Sequence, residues 1–439
     1  MTGPDRRPVR LRLKRLRADL LGTQKRLVTS RGGFARYRVL HRVFTLLAGA
    51  DANNRVFFDN LSGYGRGLQH KNLELIIGRG LICTDGEEWR QQRALTQPAF
   101  NRALLERVVA ITSTLTSELL AGWDRARERG EPVEVFGDMQ TLAMRVMSMS
   151  LFSHDPQTID NDFVATVRVG LEVVVRRNLS PVTLPLWFPT TLHRRFRGHL
   201  RAVDRFVADR IDERFADNSL TDILGDLIRS YGVHAPDHRR ELRDQVVTLF
   251  FAGFETTGSA LAWTWLLLSR NEESEARFHE ELASVLGGRD PDYDDLSRLT
   301  HTRQVVQESL RLHPPVYTLT RRAEVDDGPV HRGDNVLIPV HALQRMPEYW
   351  EDPEVFCPER FAPGRMTEAQ RKVYTPFAAG RRKCIGTNFA TTEMLTVLAV
   401  VGQRVRLRLV DGHSVRPAVA VTQYPAQGLP MYVLPVGER

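Results

Sequence analysis

Cysteine is almost absent from this 439-residue chain: Cys83, Cys357 and Cys384 are the only three, and no two share a CxxC spacing. That excludes a disulfide scaffold and a zinc ribbon and points to a reducing, cytoplasmic setting. Lysine is scarce too: Lys14, Lys25, Lys71, Lys372 and Lys383 are the only ones among 61 basic residues, a bias that fits GC-rich bacterial coding. Repeats, low-complexity tracts and clear linkers are missing, so residues 16–439 read as one domain despite a length that suggests two or three. No GxGxxG opens a βαβ unit, which argues against NAD(P)H binding. No apolar core of about 7–15 residues follows the basic start, so no signal peptide is read. Little chain follows Gly386, too little for a fused reductase. The single long apolar stretch, Gln245–Ser269, carries Glu255 and several threonines; it reads as a buried helix rather than a membrane span.

What is present is ordinary for a globular protein: 42% apolar and 26% charged residues. Charge is unevenly placed. Residues 1–42 hold 13 Lys/Arg against Asp5 and Asp19, which leaves the body slightly acidic within a net charge of +8. Residues 1–15 read as a basic tail. Such a tail is suited to peripheral contact with anionic lipid or nucleic acid, although solvation alone explains it.

Periodicity predicts a mainly α protein with small β-sheets. A helix is expected over 17–30, a β-hairpin over 34–48, a short helix over 50–59 and a Gly-rich loop over 60–79. Asp85 is placed to cap a helix ending near Pro98. Further helices are expected at 103–123, 137–153, 160–177, 194–216, 239–270, 273–287, 296–312 and 386–403. Short β pieces are read at 329–339, a Pro-rich meander at 346–363, and a hairpin over 404–436 turning at 425–428.

The sharpest chemical feature is Pro376-Phe377-Ala378-Ala379-Gly380-Arg381-Arg382-Lys383-Cys384-Ile385-Gly386. A cysteine preceded by three cations and followed by a helix start is suited to be a thiolate, and a thiolate is a nucleophile or a metal ligand. Phe377, Gly380, Arg382, Cys384 and Gly386 fit F-x-x-G-x-R-x-C-x-G. This resembles the haem-binding loop of the cytochrome P-450 family, the haem-thiolate monooxygenases, here of the soluble bacterial type. The likeness extends in order through Trp89-x-x-x-Arg93, Ala252-Gly253-Phe254-Glu255-Thr256-Thr257, Glu308-x-x-Arg311 and Pro358-Glu359-Arg360-Phe361. Minor departures are Gln97-Pro98, where relatives often carry His-Pro, and Ala378-Ala379, where glycine is frequent.

The resemblance implies a single large fold with haem b held between the long central helix and the loop before the last helix. Cys384 is then the iron ligand, Phe377 packs beside it, and Gly386 frees backbone N–H groups for the sulfur. Trp89, Arg93, Arg321 and Arg382 are implied propionate contacts. Glu308 and Arg311, three apart on one helix face, form with Arg360 a structural set under the loop. Glu255 and Thr256 are implied to relay protons to bound dioxygen.

Electrons are then expected from a separate ferredoxin, or a flavodoxin, with its NAD(P)H reductase. Phe251, Phe254, Val316, Thr318, Leu319, Val421, Thr422 and the 60–79 loop would line an apolar pocket for a mid-sized lipophilic molecule. A terpenoid, polyketide, peptide or indole of bacterial natural-product biosynthesis fits. Two other readings stay open at this point: a peroxide-driven peroxygenase or isomerase, and a non-enzymatic haem sensor with a nucleic-acid-binding arm. The retained Glu255-Thr256 pair argues against the first, and the second rests on the basic arm alone.

Overall fold

The computed structural model describes residues 8–40, 42–155, 170, 173, 177, 185, 187–188, 190–216, 221–232 and 236–437. The chain opens with strand β1 (Val9–Arg10), helices α1 (Leu13–Ala18) and α2 (Leu20–Ser30), and the hairpin β2 (Phe34–Val39) and β3 (Arg42–Leu47). Next come α3 (Ala50–Asn54), β4 (Tyr64–Arg66), α4 (Leu68–Ile77), α5 (Gly86–Thr96), α6 (Arg102–Glu128), β5 (Val133–Glu134) and α7 (Val135–Phe152). The middle is helical: α8 (Thr191–Ala216), α9 (Ile223–Tyr231), α10 (Pro236–Leu268), α11 (Glu272–Leu286) and α12 (Thr300–Leu312). The last third holds β6 (Leu319–Ala323), β7 (Asn335–Ile338), α13 (Val340–Leu343), α14 (Glu368–Val373), α15 (Thr387–Gly402), β8 (Val405–Leu409), β9 (Pro417–Val419), β10 (Gln423–Pro425) and β11 (Pro430–Pro435).

The helices α6, α7, α10 and α15 pack around the larger of two cores, in which Leu104, Val146, Leu261 and Val397 are all fully buried. Helix α10 takes the central place because residues 259–268 are buried at every position but Leu267. Gly258 lets α7 come close: a Cβ there would stand 2.8 Å from Gln140 Cα. The smaller core joins α2 and α13 to a six-stranded sheet of order β1-β2-β3-β7-β6-β4. Two minor sheets, β5-β11-β8 and β9-β10, complete the β structure among the described residues.

Several sequence expectations need correction. The 60–79 stretch is not a loop. Its glycines serve close approach, since a Cβ at Gly67 would lie 3.3 Å from the Arg321 backbone, and β4 pairs with β6 as Tyr64↔Ala323. The basic arm does not trail to residue 15, because Val9–Arg10 pair in parallel with Tyr37–Arg38 and α1 follows. Chain 404–436 is not one hairpin. β8 and β11 pair around an inner β9–β10 hairpin, and 426–429 merely links the two pairs. Asp85 occupies the N-cap position of α5, yet its carboxylate makes no cap hydrogen bond there. The helix expected over 160–177 lies almost wholly outside the described residues.

Candidate active site

The loop between α14 and α15 is held by backbone bonds. Cys384 N–H donates to Phe377 O at 2.9 Å and Lys383 N–H to Gly380 O at 3.1 Å. Gly380 has φ +66° and stands so close to the helical turn Arg55–Asp59 after α3 that a Cβ would be 2.1 Å from Phe57 O; glycine is obligatory there. Ala378 has φ 56°, a left-handed conformation that burdens any residue with a Cβ. Cys384 keeps solvent-accessible surface, yet burial by the surrounding chain pushes its thiol up. The Gly386 backbone, Arg93, Thr387 and Lys383 pull the other way and do not prevail. The expected thiolate tendency is thus present but outweighed in the protein alone.

Beside this loop lies a crowd of cations. Arg382 sits with its guanidinium 4.4 Å above the buried Trp89 ring, donates to Thr84 O at 3.1 Å, and pairs with Asp85. Arg321, on β6, is buried and its Nε has no hydrogen-bond partner. Arg66 at the end of β4 and His70 on α4 complete the group. Arg66 reaches Leu81 O at 3.3 Å and His70 Nε2 at 3.4 Å. Burial first, then the mutual repulsion of these arginines, lowers Arg66 to about 9 and Arg321 to about 10. The same two causes hold His70 well below the usual histidine range. Asp85 spends one oxygen on Arg382 and the other on Arg66 N–H at 2.6 Å, which explains its absence from the α5 cap. Sequence reasoning missed Arg66 and His70; their i,i+4 spacing was a weak signal inside what read as a loop. Arg93 donates to Lys383 O at 3.1 Å, beside the cysteine.

Under the loop, Glu308 and Arg311 are both 0% exposed and joined by two bonds of 2.7 Å. Arg311 also donates to Gln344 O, Pro353 O and Val355 O at 2.8–3.2 Å and lies over Trp350. Glu308 accepts Cys357 N–H at 3.0 Å and meets Arg360 Nε at 3.5 Å. The three residues singled out by sequence do meet. Gln344, which went unnoticed, ties them to the loop: its amide donates to Leu310 O and Arg311 O, and its carbonyl accepts Thr375 N–H, each at 3.0 Å.

On α10, Thr256 and Thr257 hydroxyls donate back to Ala252 O at 2.7 Å and Gly253 O at 2.8 Å. Glu255 is held by Thr422 Oγ1 at 2.9 Å, and Gln140 donates to its carbonyl at 3.2 Å. Burial raises the Glu255 carboxyl to about 7, against the opposing pull of Thr422. Thr422 therefore partners the acid rather than simply lining a pocket. Phe251 and Phe254 are buried, with Phe254 packed against both Phe251 and Phe250. Thr318 donates to Gln24 on α2 at 2.9 Å. Val316, Leu319 and Val421 remain half-buried.

Residues 1–423 match the family described as Cytochrome P450. The chain belongs to the cytochrome P450 family. This P450 is 35% identical over 81% of its length to "Cyclooctatin synthase" of Streptomyces melanosporofaciens, covering 79% of that protein. It is 34% identical over 77% of its length to "Cyclooctat-9-en-7-ol 5-monooxygenase" of the same organism, covering 74%. It is 32% identical over 85% of its length to "Pentalenene oxygenase" of Streptomyces avermitilis, covering 82%. The P450 is thus a haem-dependent monooxygenase, an oxidoreductase whose family uses a redox partner, dioxygen and a lipophilic substrate. The residues present fit haem. Among the described residues, Asp85 is the one carboxylate paired with Arg66, Arg321, Arg382 or His70, and the buried, unpartnered Arg321 Nε asks for an acceptor that two propionates would supply.

Proposed function

We propose that this P450 oxidises a cyclic, terpenoid-type hydrocarbon or alcohol in bacterial natural-product biosynthesis, with electrons from a separate ferredoxin and its reductase. The substrate class is supported by the names of its relatives and by apolar residues near Glu255. The carrying observation for the chemistry is a raised, Thr422-bound carboxyl next to a threonine on α10, in a chain that also carries a cysteine in a Gly-rich loop. Haem, when bound, supplies dioxygen activation for insertion into a C–H or C=C bond.

The chain's own residues do the rest. Cys384 would bind the iron through its sulfur, and Arg321 and Arg382, with Arg66, would hold the carboxylates of the cofactor. Arg93 props the loop by binding Lys383 O. Glu255, raised to about 7, can carry a proton at neutral pH and pass it on as a general acid. Thr256 must release Ala252 O to present its hydroxyl, and Thr422 holds the Glu255 carboxyl in place meanwhile. Retention of this acid–alcohol pair favours the dioxygen route over a peroxide-driven one.

The test is Cys384→Ser. The reduced, carbon monoxide-treated variant is expected to lose the thiolate-type Soret band entirely, whereas Cys83→Ser and Cys357→Ser keep it. Retention of the band in Cys384→Ser would overturn the assignment.

A further inference from the structure

Glu255 and Thr256 are joined by one peptide unit, and a planar peptide carries the Cα atoms of both residues at its two ends. Whatever holds the oxygen of that unit sets where the acid and the alcohol stand together. In this chain a hold comes from another helix. Gln140 on α7 donates from its amide nitrogen to Glu255 O at 3.2 Å and to Ser259 Oγ at 3.0 Å. A carbonyl oxygen can only accept, so the nitrogen is the end of the amide that faces α10, and both of its N–H groups are spent there. Ser259 is fully buried, one turn beyond Glu255 on the same face.

Two glycines make this reach possible. Gly253 and Gly258 bracket the acid–alcohol pair, and both lie open to α7. A Cβ at Gly258 would stand 2.8 Å from Gln140 Cα and 2.9 Å from Met139 O, and one at Gly253 would stand 2.6 Å from Met147 Sδ. Gln140 and Met147 are seven apart, two turns along one face of α7. The missing side chains draw α7 against α10 on either side of the pair, close enough for a glutamine to reach the main chain. The threonines do not supply the same hold. Thr256 and Thr257 hydroxyls bond one turn back, to Ala252 O and Gly253 O, so neither touches the oxygen of the 255–256 peptide.

We propose that Gln140 is a positioning residue for the Glu255–Thr256 pair: it fixes their shared peptide from the α7 side, while Thr422 holds the Glu255 carboxyl from the turn between β9 and β10. This deepens the catalytic reading above and rests on it. Glu255 is gripped at its root and at its head by residues 115 and 167 positions away in sequence. Such a two-point grip restricts the carboxyl to small rotations and keeps it on Thr422 while Thr256 gives up Ala252 O. Orientation of this kind, fixed before reaction, is what a proton relay needs.

The test reads two infrared bands in the holoprotein, each variant first being checked for the native Soret band. The Glu255 carboxyl is followed by the band that Glu255→Gln removes. Thr422→Val takes away the hydroxyl that donates to this carboxyl and so gives the direction and size of shift for a released group. Gln140→Leu and Gln140→Met keep bulk at the site and remove both donors; each should shift the band in that direction by at least about half as much. The second band is the C–O stretch of carbon monoxide on the reduced haem, which responds to polar groups beside it. Thr256→Ala should move this stretch, Gln140→Leu should move it too, and the two combined should do no more than Thr256→Ala alone. A packing role for Gln140 predicts lower stability with both bands in place, and that result overturns the proposal. A C–O stretch that answers to Thr256→Ala and ignores both Gln140 variants overturns it as well. A stretch that ignores Thr256→Ala and Glu255→Gln counts against the catalytic reading of α10 itself, and the carboxyl band then still decides whether Gln140 positions Glu255.

Discussion

Two clusters of buried charge lie on either side of the cysteine loop, and they differ in whether the protein completes them. Below the loop, Glu308 receives two bonds from Arg311 and one from Cys357 N–H, and Arg311 spends its remaining donors on three carbonyls. Beside the loop, three arginines and a histidine share one carboxylate, and Arg321 Nε has no acceptor. The Glu308–Arg311 pair is closed and therefore structural, while Arg360 only approaches it, its Nε at 3.5 Å from Glu308 without a hydrogen bond. The second cluster is short of negative charge, as a site built around a dianionic ligand must be. Buried charge alone does not mark function; buried charge left without its counter-charge does.

Breaking each cluster should have opposite consequences for the empty protein. Glu308→Ala removes one partner of a closed, fully buried pair and is expected to cost about 3–5 kcal/mol in urea unfolding, with or without haem. A loss below about 1 kcal/mol would show that the pair is not the keystone inferred here. Arg321→Met should do the reverse. It relieves cation crowding, so stability of the apoprotein is expected to hold or rise, while haem leaves about tenfold faster or more in transfer to apomyoglobin, the scale of one lost charge-assisted bond. If Arg321→Met destabilises the apoprotein as Glu308→Ala does, the distinction between the clusters collapses.

The closed set was the more legible of the two in sequence. Glu308 and Arg311 sit three apart on a periodic helix, and Arg360 lies in a short motif whose likeness was already strong. Cys384, Glu255 and Thr256 stood out because each is an anomaly in its segment: a lone cysteine among cations, a lone acid in an apolar run. The open set was only half legible. Arg66 and His70 stand in a Gly-rich stretch whose strand exists only because β6 lies alongside, and tertiary pairing leaves no local period. Phe251 and Phe254 show a related limit of sequence: apolar character does not distinguish a residue facing the core from one facing a pocket. Asp85 carried a correct local signal, an N-cap position, that Arg66 and Arg382 override.

Glu255 stands between the two classes, since its half-buried carboxyl is desolvated with a single neutral partner. Its folded value of about 7 lies above the ordinary carboxyl value of 4.5. A raised acid contributes its stabilisation below the unfolded value and loses it as pH rises through the folded one. Glu255→Gln should therefore match the native protein at pH 4, below the unfolded value, and become the more stable of the two by pH 8, by on the order of 1–3 kcal/mol in thermal unfolding. The rate of oxygen activation should fall in the same variant while substrate binding spectra change little. Parallel stability curves across that pH range would mean that Glu255 is not held protonated by its surroundings.

The smallest effect is expected where open charge is also exposed. The loop face carries several cations, but they are not equivalent. Arg90 pairs with Glu87, Arg102 with Glu106 and Asp294, and Lys372 with Glu368. Arg381 and Lys383 are exposed, and among the described residues neither has a carboxylate partner. They flank an apolar hollow lined by Phe58, Pro376 and Phe377. An acidic ferredoxin would meet these two charges first, with Phe58 as an exposed apolar contact. Exposed charges act mainly on association rate and are screened by salt. Arg381→Glu with Lys383→Glu should thus slow reduction by ferredoxin about three- to tenfold in dilute buffer and converge with the native rate at high salt. Lys372→Glu, which only breaks an existing surface pair, should change the rate less. Equal effects from all three positions would mean that general charge, not these two open cations, steers the donor.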